Sequence, residues 1–185
     1  MGSVSMGNGD IIGILDLTLL DRGASEEDLV RLCERAVAHR VAAVCVFSEH
    51  VRFVRGLLPE EVKVASVVGG FPVGWRDPTK VSKAITEAID FGADEIDCVL
   101  EPTPNGGVSS EEDLQILSAM RDACGEKTLK VIIETPLMDE HSIRATSRLA
   151  MASGADFVKT CTGKRGDCTD EDARILSMEA NRHLV

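Results

Sequence analysis

The sequence predicts an α/β chain wound as an incomplete (β/α) barrel with six βα units. Three observations carry this. Short apolar, strand-like runs alternate with amphipathic helical stretches along the 185 residues. A turn recurs before the strands, as Gly92-Ala93-Asp94 and Gly154-Ala155-Asp156, with Arg40-Val41-Ala42 as a weaker copy. Three residues beyond each turn stands a chemically active side chain, Asp97, Lys159 and Cys45 respectively, while Ile96, Val158 and Val44 face the other way. Apolar side chains towards a helical layer and ionisable ones towards a reaction site suit a barrel. An open doubly wound sheet also fits the alternation. The missing Gly-x-Gly-x-x-Gly after the first strand and the spread of ionisable groups over several strands favour the barrel.

In order, residues 1–10 read as a flexible Gly/Ser/Asn-rich leader and 11–185 as a single domain. Ile11 to Leu17 is the first apolar run, with Asp16 near the first strand's end. Ser25-Glu26-Glu27-Asp28 opens a helix to about His39, because a hydroxyl cap and early acids satisfy free amides and the helix dipole. The same start recurs at Ser110-Glu111-Glu112-Asp113 and Thr169-Asp170-Glu171-Asp172. Ala43 to Phe47 is the second strand, followed by a short helix over His50 to Leu57. Lys63 to Val68 is the third strand, ended by the Gly69–Gly74 turn. Asp77 to Phe91 carries Val81, Ile85, Ala88 and Ile89 at helical spacing. The fourth strand carries Asp97, and Glu101 to Gly107 is a loop. After the helix Ser110 to Cys124, the fifth strand spans Leu129 to Glu134, with Lys130, Ile132 and Glu134 on one face. A helix over Asp139 to Ser153, the strand Phe157 to Thr160 and a helix over Thr169 to His183 complete the pattern.

Composition narrows the function. Hydrophobic residues make up 44%, enough for a packed core. Twenty basic against 31 acidic residues give a net charge of −11, which argues against nucleic acid as a main partner. No apolar run approaches the ~20 residues of a membrane span, and no secretory pattern opens the chain. A cytoplasmic protein is expected. The six cysteines include no Cys-x-x-Cys pair, so reduced thiols are expected rather than a disulfide framework or zinc site.

Six motifs, in order, resemble the deoxyribose-phosphate aldolase family. They are Asp16-Leu17-Thr18-Leu19-Leu20, Val44-Cys45-Val46, Gly70-Phe71-Pro72-Val73-Gly74, Gly92-Ala93-Asp94-Glu95-Ile96-Asp97, Lys130-Val131-Ile132-Ile133-Glu134-Thr135 and Phe157-Val158-Lys159-Thr160-Cys161-Thr162-Gly163-Lys164. The resemblance implies a TIM-barrel-like fold and a class I aldolase, a lyase cleaving 2-deoxy-D-ribose 5-phosphate to glyceraldehyde 3-phosphate and acetaldehyde without metal or cofactor. It implies Lys159 as the Schiff-base lysine and Asp97 as the acid that shuttles protons. Asp16, Cys45 and Lys130 match pocket residues, and Thr162, Gly163 and Lys164 match the phosphate loop. The family's motifs for a seventh strand, with its second lysine, and for an eighth have no counterpart up to Val185. The loop Glu101 to Gly107 departs from the family pattern.

A Schiff base requires a neutral amine, and a free lysine, with a pKa of ~10.4, is almost wholly charged at neutral pH. Burial or a neighbouring cation must release its proton. With no second family lysine in view, Lys130 is the substitute. A lyase or cyclase using a non-phosphorylated substrate and a catalytically impaired scaffold remain alternatives. A small aldehyde or sugar phosphate is the expected partner, and the chain is expected to form a homo-oligomer.

Overall fold

The computed structural model describes residues 11–103 and 111–180. The expected leader, the loop beyond Thr103, the Ser110 cap and the end of the last helix lie outside them. Six strands alternate with six helices among the described residues. The strands are β1 Asp16–Leu19, β2 Ala43–Phe47, β3 Lys63–Val68, β4 Glu95–Val99, β5 Thr128–Ile132 and β6 Phe157–Lys159. The helices are α1 Glu26–His39, α2 Ser48–Arg55, α3 Pro78–Asp90, α4 Glu111–Cys124, α5 Glu140–Ala152 and α6 Asp170–Glu179.

The strand order is β1-β2-β3-β4-β5-β6, the order of the chain. A doubly wound sheet reverses its strand order at a switch point, and no reversal occurs here. The winding is therefore of the (β/α)-barrel kind, with six βα units.

Packing divides the described residues into two compact units, one reaching Val67 together with Ala88–Glu95, the other comprising Val68–Glu87 and the residues from Ile96. In the first, β1 pairs with β2 and β2 with β3, all parallel, with Cys45 level with Thr18 and Ala65. α1 starts at a complete capping box, in which Ser25 and Asp28 exchange side-chain and backbone hydrogen bonds. It buries Leu29, Leu32, Cys33 and Ala36, and each large apolar side chain so covered is worth ~1.5–3 kcal/mol. In the second unit, β5 and β6 are parallel, with Ile132 level with Lys159 and Lys130 level with Phe157.

The Gly-Ala-Asp repeat is architectural. Gly92 and Gly154 have φ of +106° and +89°, left-handed values that a side chain disfavours. A Cβ at either would also press on an arginine stem, Arg55 or Arg121, at 3.0 Å. The following aspartate meets that same arginine. Asp94 pairs with Arg55 at 3.0 Å and accepts the Val64 amide of β3. Asp156 pairs with Arg121 at 3.0 Å and accepts the Leu129 amide of β5. Each arginine also donates to nearby carbonyls, Arg55 to Leu58, Pro59 and Val62, and Arg121 to Gly125, Lys127 and Gly154. In the weaker copy Arg40 itself takes the left-handed conformation, at φ +55°.

Two boundaries differ from the sequence reading. β1 begins at Asp16, and Ile11 and Ile12 precede it as a helical turn. β5 stops at Ile132, because Glu134 turns left-handed at φ +55° and opens a short 3-10 helix, Thr135–Leu137. Glu134 therefore does not share a strand face with Lys130.

Candidate active site

Alternation along β4 buries Ile96 and Cys98 on one face and turns Asp97 to the other, where it is completely buried. On β5, Lys130 is 2% exposed. At the end of β6, Lys159 keeps 23% of its side chain accessible. The Lys159 ammonium donates to Asp97 Oδ2. Lys130 Nζ lies 3.6 Å from Asp97 Oδ1. Two lysines thus flank one carboxylate, one at each oxygen. Asp97 can balance one positive charge, and a second ammonium in so enclosed a place is costly. Of the two lysines, Lys159 is the one that solvent can reach. Behind the carboxylate, burial and then the charge of Asp97 push the Cys98 thiol up to about 12.

Beyond β6 the chain forms a loop towards α6. Thr162 donates from both its amide and its hydroxyl to Glu134, the latter at 2.9 Å. Its hydroxyl accepts from the Lys164 amide at 3.2 Å. Gly163, at φ +67°, has open space where a side chain would begin. Arg165 makes a two-pronged pair with Glu101, at 2.7 and 2.9 Å, and its Nε lies 3.8 Å from Glu134. Glu101 also accepts the Gly74 amide at 3.0 Å, and Arg76 donates to the Glu101 carbonyl at 2.9 Å. Gly74 is required by proximity, since a Cβ there would meet Val99 O at 2.5 Å and the Glu101 amide at 2.8 Å.

Of the residues singled out in the sequence, the structure brings Asp97, Lys130 and Lys159 into contact and sets Thr162, Gly163 and Lys164 on the loop that follows Lys159. Asp16 opens β1, half-buried, and Cys45 is buried at the centre of β2, both in the first unit. Sequence reasoning missed the Glu101–Arg165–Glu134 cluster. Its only local signal was Glu134-Thr135-Pro136, a carboxylate just before a strand-breaking proline. Among the described residues no group of three His, Cys, Asp or Glu side chains could hold a metal ion.

A family model for DeoC/LacD family aldolases matches residues 11–184. The chain belongs to this aldolase family. Among its relatives, deoxyribose-phosphate aldolase from Halalkalibacterium halodurans is 36% identical over 174 residues, covering 90% of this chain and 75% of the relative. The enzyme of that name from Clostridioides difficile is 33% identical over 176 residues, covering 94% and 80%. A solved structure from Coccidioides immitis, described as a candidate deoxyribose-phosphate aldolase, superposes with a TM-score of 0.88 at 29% identity, covering 97% of this chain and 71% of that one. The tetrameric deoxyribose phosphate aldolase of Aeropyrum pernix superposes at 0.81 with 26% identity, covering 95% and 74%. The family fold and the chain-order strand winding agree: this is a TIM-barrel-like α/β fold, with six βα units among the described residues. As a member of the DeoC/LacD aldolases the chain is a class I aldolase, a carbon–carbon lyase.

Proposed function

We propose that the chain catalyses the reversible aldol cleavage of 2-deoxy-D-ribose 5-phosphate to glyceraldehyde 3-phosphate and acetaldehyde through a Schiff base on Lys159. The observation that carries this is the pair of lysines sharing Asp97, one oxygen each.

The neutral Lys159 amine attacks C1 of the open-chain sugar, and loss of water gives a protonated imine. The C3 hydroxyl then loses its proton and the C2–C3 bond breaks. C3 becomes the aldehyde carbon of glyceraldehyde 3-phosphate. The bonding electrons pass into the imine, leaving an enamine. Protonation at C2 and addition of water release acetaldehyde and restore the amine. Asp97, acting through a water, is the group that takes the C3 hydroxyl proton and returns one to C2. Lys130 serves as the resident cation, holding Asp97 charged so that Lys159 can shed its proton. The Gly163 amide and the Lys164 side chain are the proposed phosphate contacts, with Thr162 ordering the loop. The resemblance adds Asp16 and Cys45 as substrate-binding residues. We extend to this chain a homo-oligomeric state, which the tetrameric Aeropyrum pernix relative supports, and a cytoplasmic location.

The test is reductive trapping. Incubation with acetaldehyde followed by borohydride should fix a two-carbon adduct on Lys159, located by mass spectrometry. Retro-aldol release of glyceraldehyde 3-phosphate should disappear in Lys159→Met. An unmodified Lys159 in the trapped sample overturns the reading.

A further inference from the structure

The cluster past the C-terminal ends of β4, β5 and β6 stands outside the proton chemistry, yet it lies on the side of these strands where a barrel enzyme binds substrate. The guanidinium of Arg165 is the cation that follows the proposed phosphate contacts Gly163 and Lys164 in the loop. That cation is already engaged. Its two terminal nitrogens fork onto both oxygens of Glu101, the geometry an arginine otherwise offers to a phosphate. Its Nε side faces Glu134, 3.8 Å away, whose side chain is 1% exposed. Arg165 thus lies between the Glu101 and Glu134 carboxyl groups. Glu101 is itself pinned by the Gly74 amide at 3.0 Å, and its side chain is only 17% exposed. Releasing Arg165 would therefore strand a partly buried carboxylate.

We propose that Glu101 is a specificity-determining residue, an internal carboxylate that occupies the arginine a substrate phosphate would use, so that the site accepts non-phosphorylated 2-deoxy sugars nearly as well as their 5-phosphates. The proposal rests on the aldolase reading and names the substrate class of that same site.

The experiment compares kcat/KM for 2-deoxyribose 5-phosphate and for 2-deoxyribose in the wild-type chain, in Glu101→Gln and in Glu101→Gln/Arg165→Gln. Glutamine keeps an oxygen for the Gly74 amide while removing the charge and one of the two acceptors that hold Arg165. The wild-type preference for the phosphate should be no more than about tenfold, because a charge-assisted hydrogen bond from a free arginine would contribute about tenfold or more by itself. Glu101→Gln should raise the preference about tenfold, and the double variant should return it to the wild-type value. A wild-type preference clearly above about tenfold overturns the proposal, whether or not the variants fold. So does an unchanged or lowered preference in Glu101→Gln, or a gain that persists without Arg165. Acetaldehyde trapping on Lys159 carries no phosphate. Its failure in the wild-type chain would strike the aldolase reading, and its success with an unmoved preference would strike this inference alone.

Discussion

Lys130 and Lys159 differ in one respect that assigns their roles. Lys130 has 3% of its side chain exposed and Lys159 has 23%, so in the proposed mechanism the first is the fixed charge and the second meets the carbonyl. Replacing Lys130 by methionine removes one of the two lysine charges set against Asp97. Imine formation at neutral pH should then fall by about 10–100-fold, one tenfold step for each unit by which the amine holds its proton more tightly. The loss should shrink as pH rises, so the pH profile of trapping decides: an equal loss at every pH would refute the charge-balancing role. The cysteines give a second check. Burial pushes Cys98 up to about 12 and Cys124 up to about 11, and both remain thiols at pH 8. Exposed Cys168 should alkylate in the native protein, whereas Cys98 and Cys124 should react only after unfolding, as peptide mapping would show. Asp97 and Lys159 were legible in the sequence because the repeated turn and strand alternation put them on one face, whereas Lys130 came from the family resemblance. Arg165 and Glu101 were not legible, because a contact between residues 64 apart leaves no periodic trace.

Among the elements, the repeated turn was visible in the sequence but its purpose was not. Gly-Ala-Asp marks the entrance to β4 and β6 because the glycine makes room for an arginine stem and the aspartate grips that arginine's head. The β5 boundary misled for the opposite reason. Nothing in a glutamate announces a left-handed φ, so Glu134 read as one more strand residue. At Gly74, alanine would drive its Cβ into the Val99 carbonyl and the Glu101 amide. Gly74→Ala should cost about 1–3 kcal/mol, the scale of an overpacked site, seen as a lowered denaturant midpoint. An unchanged midpoint would mean that the turn yields freely. The α5–α6 contact carries a pH signature. Hydrogen bonds from Arg148, then Arg144, hold the Glu179 carboxyl below its ordinary 4.5. A carboxyl lowered in the folded state adds stability above its unfolded value, and that stability is lost as pH falls through the folded value. Glu179→Gln should therefore be less stable than wild type at pH 7, with the gap closing on acidification below about pH 4. Thermal melts across that range test it, and a gap that stays constant would exclude the linkage.

For the whole molecule, the order β1 to β6 without reversal separates barrel winding from the doubly wound alternative that the sequence left open. Strand–helix alternation is common to both, and only hydrogen-bonded neighbours distinguish them. A net charge of −11 opposes compaction. Moderate salt should raise the melting temperature by a few degrees by screening that repulsion, and a fall would mean that local ion pairs outweigh it. The arginine-held turns have a further consequence. They fasten strands where the chain enters the sheet, whereas the amine and its neighbouring loops occupy the exits. Residues after Val99, Ile132 and Lys159 can consequently be rewritten without loosening those fasteners, which leaves the appetite of the catalyst open to drift while its framework stays put.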